Sequence, residues 1–156
     1  MAKVLALIPI VRVKEVSFDD CAKCLTKVCI EHNVTCTLVP RIHKGYLCYA
    51  IATLKALQAF KERKNVAKKI ELEILLRIYA DRQISRVLVR ARSDFSTLGR
   101  AIIIMLSDDE KNISDILGNI SSCWLEIDTK SINDMLEHID RFGISNIALT
   151  DITFKV

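Results

Sequence analysis

Gly45-Tyr46-Leu47-Cys48-Tyr49-Ala50-Ile51-Ala52 opens a stretch that runs through Ala56-Leu57-Gln58-Ala59-Phe60 to Glu73-Ile74-Leu75-Leu76 and Arg82-Gln83-Ile84. Its apolar spacing predicts helices over 45–63 and 69–79, joined near Asn65, and a third over 82–92 capped by Asp81. Three successive helices in mid-chain argue against a regular doubly wound sheet.

Working outward, Val4 to Val13 reads as a buried strand, with Pro9 interrupting the ladder and suggesting an edge or a bulge. Ser17 caps a helix that ends near Asn33, and Asp19 and Asp20 suit the dipole of its first turn. Thr35 to Val39 alternates as a strand and stops at Pro40. Beyond Gly99, Ala101 to Leu106 is a strand. Ser107 and Glu110 form a capping box for a helix to about Leu117, closed by Gly118. A strand over Cys123 to Ile127, a helix from Ser131 to Arg141 broken at Gly143, and a strand over Asn146 to Phe154 follow. The expected fold class is α/β: a single domain over 1–156, with a mixed β-sheet, packed helices and a central run of consecutive helices.

The chain has 156 residues, 51% of them hydrophobic, enough for a core without disulfides or a structural metal. Apolar runs such as Ala101 to Leu106 are far too short to cross a bilayer. The apolar start is followed at once by Arg12 and Lys14 without a small-residue cleavage site, so a soluble, cytoplasmic protein with no membrane partner is expected. Much Ile, Lys and Arg with little Gly hints at a heat-adapted source.

Charge is strongly divided. Residues 41–92 hold 13 Lys or Arg against 4 Asp or Glu, a net of +9, whereas the whole chain carries +4. In the first central helix Leu47, Ala50, Ile51, Leu54 and Leu57 are expected to form the core face. Gly45, Cys48, Ala52, Ala56 and Ala59 make a stripe of small residues beside it, read as tight helix packing or as a groove for a ligand. The second helix is apolar around most of its circumference and is expected to be buried, with Glu73 in a surface ion pair to Lys69 or Arg77. In the third, Arg82, Arg86 and Arg90 stand in one line opposite Ile84, Val87, Leu88 and Ala91. Like charges at that spacing repel, so the row calls for acids or a polyanion. Arg63, Lys64, Lys68 and Lys69 add a second basic cluster, and the two together suit either a solvated face or nucleic acid.

Six cysteines, Cys21, Cys24, Cys29, Cys36, Cys48 and Cys123, include a single Cys-x-x-Cys at Cys21 and Cys24. A structural zinc site needs four ligands, and no second pair completes this one. The helical repeat Phe18, Cys21, Leu25, Val28 favours buried thiols over metal or redox chemistry. No Gly-rich phosphate loop, nucleophile elbow or His-Glu-x-x-His occurs, and His32, His43 and His138 have no obvious paired carboxylate or nucleophile nearby in sequence. The expectation is a non-enzyme with no cofactor and no metal.

The central pattern Gly45-x-x-Cys48-x-x-x-Ala52-x-x-x-Ala56-x-x-Ala59-Phe60, then Asn65-x-Ala67, Glu73-x-Leu75 and Arg82-Gln83-Ile84, resembles the small kinase-binding subunits of the KEOPS complex, the TPRKB-like family. The pattern departs at Cys48, where that family often carries histidine. The resemblance implies a non-catalytic accessory subunit in the tRNA threonylcarbamoyladenosine machinery, with two partners: the small atypical protein kinase of KEOPS, and tRNA, held by its 3′ CCA end. Lys64, Lys68, Lys69 and Arg82 are then the expected phosphate contacts, extended by Arg86 and Arg90. Ile144 and Ile147, backed by Leu136 and Ile139, are the expected kinase contact. Two other readings stand beside it: a protein interaction module whose basic face binds an acidic partner without RNA, and a thiol redox or metal-binding protein using Cys21 and Cys24.

Overall fold

The computed structural model describes residues 4–43, 45–131 and the backbone of 153–155. Strand β1 (Val4–Arg12) is buried continuously from Val4 to Ile10, the pattern of a central strand covered on both faces. It pairs antiparallel with β3 (Arg100–Ser107) in unbroken register from Val4 opposite Ser107 to Val11 opposite Arg100. β3 in turn pairs antiparallel with β2 (Thr35–Pro40). The other side of β1 is shared. β4 (Leu125–Ile127) pairs antiparallel with its C-terminal end, and β5 (Thr153–Lys155) pairs parallel with Val4 to Ala6. The order β2-β3-β1-β4, with β5 also on β1, is a mixed sheet, and the fold is α/β with packed helices, as expected.

Pro9 lies in this central strand without a bulge. Its carbonyl accepts from the Asp128 N–H at 2.9 Å, on the β4 side. The N–H that proline lacks would point the same way, so the β1–β3 ladder loses no bond.

The helices follow the sequence with instructive shifts. In α1 (Phe18–Glu31) the Ser17 hydroxyl accepts from the Asp20 N–H at 3.1 Å, the predicted cap. α2 (Tyr46–Lys61) and α3 (Ile70–Tyr79) pack on each other, and α1, α3 and α4 (Ile84–Leu98) cover β2. α4 runs well past the expected end at 92. Phe95 is fully buried edge-on to Phe18 at 5.7 Å, Asp94 accepts from the Tyr79 hydroxyl at 2.8 Å, and the turn closes only at Gly99, in the left-handed conformation at φ 63°. The expected capping box at Ser107 does not form. Asp109 is the cap of α5 (Glu110–Leu117), accepting from Lys111 N–H at 3.0 Å, while the Ser107 hydroxyl accepts from the Asp109 N–H at 3.1 Å.

In α2 the expected core face is corrected. Tyr46, Tyr49, Ala50, Ala52, Thr53, Ala56 and Ala59 are buried, whereas Ile51 is exposed and Leu47, Leu54 and Leu57 lie at the margins. Ala52, Ala56 and Ala59 of the small stripe face inward and let α3 approach closely, Tyr46 and Tyr49 are buried with them, and Cys48 of the same stripe is exposed.

Four of the six cysteines are bridged, against the expectation of buried free thiols. Cys24 joins Cys123, tying α1 to the 3₁₀ turn Ile120–Cys123, and Cys29 joins Cys36, tying the end of α1 to β2. Cys21 is free and buried, so the Cys21-x-x-Cys24 pair is not a unit. No helix among the described residues is long and apolar enough to cross a membrane. The helix expected over 131–141, apart from Ser131, and Leu136, Ile139, Ile144 and Ile147 lie outside the described residues.

Candidate nucleic-acid interface

The segment between α2 and α3 is organised by one carboxylate. Glu73 is 1% exposed, and its Oε1 accepts from the N–H groups of Val66 at 2.6 Å and Ala67 at 3.0 Å. Its Oε2 lies 3.4 Å from Arg77 Nε. The pairing with Arg77 was expected, but Glu73 is buried rather than at the surface, and its main work is to fix a loop. Asn65 helps by donating from its side-chain amide to the Ala67 carbonyl at 2.8 Å. The loop therefore presents Arg63, Lys64 and Lys68 to solvent from a rigid frame.

On the α2 side, the Tyr49 hydroxyl accepts from His43 N–H at 3.0 Å and donates to His43 C=O at 3.3 Å. Burial pushes this tyrosine up to about 12, so it remains a neutral clamp. His43 Nε2 lies 3.3 Å from the Ile78 carbonyl, which joins the chain before α2 to the end of α3.

Between these supports lies a cleft of about 540 Å³, within the range of roughly 300–1,000 Å³ that small ligands occupy. Ile51, Val66 and Leu76 supply apolar wall, His43 an aromatic ring, and Lys55, Arg77 and Arg82 positive charge, while the two carboxylates of the lining, Glu73 and Asp81, are each paired with an arginine, Arg77 and Arg86. Cys48 and Ala52, from the small stripe, also line it, while Ala56 and Ala59 are packed away. The stripe therefore divides between close packing and the cleft wall. Arg77 Nε is buried without a hydrogen bond of good geometry.

The predicted phosphate contacts divide. Arg82 lies beside the cleft and is exposed, and Lys68 is exposed on the locked loop. Lys64 is there too, 3.6 Å from Glu62. Lys69 lies over a different hollow, near Phe18 and Asp19 of α1. Arg86 is held by Asp81 in two bonds of 2.5 and 2.8 Å, and this pairing keeps the Asp81 carboxyl well below the usual carboxylate range. Arg90 sits 4.8 Å from the Tyr79 ring centroid and donates to its carbonyl at 3.4 Å. The row of arginines thus finds internal partners for two of its members, and only Arg82 contributes to the cleft. Lys55, Arg77 and His43 were not singled out as ligand contacts. Lys55 falls one turn past Ile51 and two past Cys48, so the face was present in the helical spacing.

The two free thiols differ sharply. Burial, with the Asp20 charge adding to it, pushes Cys21 up to about 11, while Cys48 is exposed beside the cleft. Iodoacetamide at pH 8 is expected to label Cys48 alone in the folded, unreduced protein, because the thiolate is the reactive form. Peptide mapping that finds Cys21 labelled at a similar rate would contradict this burial.

No family model matches the chain, and no similarity to a curated protein reaches significance.

Proposed function

We infer that this protein is a non-catalytic, cytoplasmic, tRNA-binding accessory subunit that holds a single-stranded 3′ end in the α2–α3 cleft. The reading also has it dock on a small atypical kinase of the KEOPS kind. The observation that carries it is the pairing of an apolar, ring-bearing cleft with a locked loop of exposed cations, Arg63, Lys64 and Lys68. Bases need a flat apolar surface and phosphates need mobile donors near it, and single-strand binders combine the two. The sequence resemblance supplies the identity of the strand. A cytoplasmic site sits with two disulfides only where intracellular disulfides persist, as they do in hyperthermophiles, which agrees with the composition.

Filter binding with tRNA carrying or lacking the terminal CCA tests this. Arg82→Glu is expected to weaken binding by about tenfold or more, and the slope of log affinity against log salt should become shallower by about 0.7 for one lost single-strand contact. Arg86→Glu should have a smaller effect, since that side chain is already committed to Asp81. Equal affinity for both tRNAs would overturn 3′-end recognition. Kinase co-purification without salt-dependent tRNA binding would instead favour the interaction module.

A further inference from the structure

A second surface lies away from this cleft, on the outer side of α1. Ile30 is 69% exposed there, the most exposed large apolar side chain among the described residues. It shares an open hollow of about 710 Å³ with Trp124, Cys24, Lys23 and Lys27. Trp124 stands at φ 61°, a left-handed conformation that a bulky side chain adopts only when its surroundings impose it. Here they do. The Cys24–Cys123 bridge joins the helix wall to the residue before Trp124, and the Trp124 carbonyl accepts from Val13 N–H at 2.9 Å. Both walls are therefore fixed before any partner arrives.

The charges select the occupant. Lys14 Nζ lies 5.2 Å from the Trp124 ring centroid, and Lys23 and Lys27 have no ion-pair partner among the described residues. Asp20 and Glu31 stand at the two ends of the hollow. A nucleic-acid strand would bring phosphates against those carboxylates, and the ring face it would stack on is already approached by Lys14. A protein segment can place an apolar anchor between Ile30 and Trp124 while directing carboxylates to the central lysines only. We propose that this hollow is a docking site for a protein partner through a segment with a large apolar anchor flanked by Asp or Glu. It is independent of the tRNA reading.

The test uses the full, oxidised chain and a random-peptide display library. Trp124 is the only tryptophan, so its emission reports directly on the site. Selected peptides are expected to carry an aromatic or aliphatic anchor with acidic neighbours, and to shift Trp124 emission to the blue. Ile30→Glu, a change at an exposed position, should weaken them at least tenfold. Lys23→Glu with Lys27→Glu should do the same, with recovery by peptides whose acids are replaced by lysine. Peptides without acidic enrichment, or full binding to Ile30→Glu, would overturn the proposal. So would a Trp124 shift produced by a single-stranded oligonucleotide, or by raising the protein concentration alone, which would mark the hollow as an RNA or self-association surface.

Discussion

Glu73→Ala is expected to lower the thermal midpoint by roughly 6–12 °C, from a loss of about 3 kcal/mol at about 2–4 °C per kcal/mol for a chain of this size. The substitution leaves the N–H groups of Val66 and Ala67 without their acceptor and Arg77 without its carboxylate. The Arg77 side chain is 31% exposed, so water compensates part of the charge, and the orphaned backbone donors dominate the cost. Glu73→Gln keeps one acceptor oxygen and should recover about half of the loss. Thermal unfolding of the three proteins measures this, and a glutamine variant as unstable as the alanine one would shift the weight to the ion pair. The loop from Arg63 to Lys68 should also loosen, so on the proposed function tRNA affinity should fall in the alanine variant even at temperatures where it stays folded.

Loss of the Cys24–Cys123 bridge is expected to be costlier still. Its ends are 99 residues apart in sequence, against seven for Cys29–Cys36. On the chain-entropy account the long loop contributes about 4–5 kcal/mol and the short one about 2–3 kcal/mol, largely by restricting the unfolded chain. Urea unfolding of Cys24→Ser with Cys123→Ser should therefore show the larger loss of the two paired variants. The reverse ranking would show that native contacts, and not loop closure, set the effect. Thiol titration in denaturant offers a direct check, with two reactive thiols before reduction, Cys21 and Cys48, and six after it.

Elements whose signals are local were legible. Ser17, Pro40, Gly118 and the buried run of β3 each act within one turn or one strand, and the structure places them as read. Most of what escaped depended on contacts distant in sequence, the cap of α5, which is Asp109 and not Ser107, being a local exception. The polar stretch Ser93 to Thr97 gave no reason to extend α4, yet Phe95 reaches Phe18 and Asp94 reaches Tyr79. Disulfide connectivity is not encoded in spacing, because many pairings of six cysteines are compatible with one sequence. Of the arginine row, Arg86 finds its counter-charge within the chain in Asp81, and Arg90 lies against the Tyr79 ring. In α2 the aliphatic pattern did not show which face turned inward, since the alanines that allow close approach and two tyrosines are buried and Ile51 was left outside. The charge island itself survived, condensed onto Lys55, Arg77, Arg82 and the loop that Glu73 holds.

Pro9 does more than sit harmlessly in a central strand. An N–H at that position would face the carbonyl of Asp128 and add one more rung between β1 and β4. Without it, the Asp128 carbonyl accepts from Ser131 N–H at 3.2 Å, and the Asp128 carboxylate accepts from the Ser131 hydroxyl at 2.5 Å with Arg41 alongside. The ring of one proline thus acts as a full stop for the sheet. It frees the chain at Asp128 to turn away and lets an Arg41–Asp128–Ser131 latch take over where backbone pairing ends.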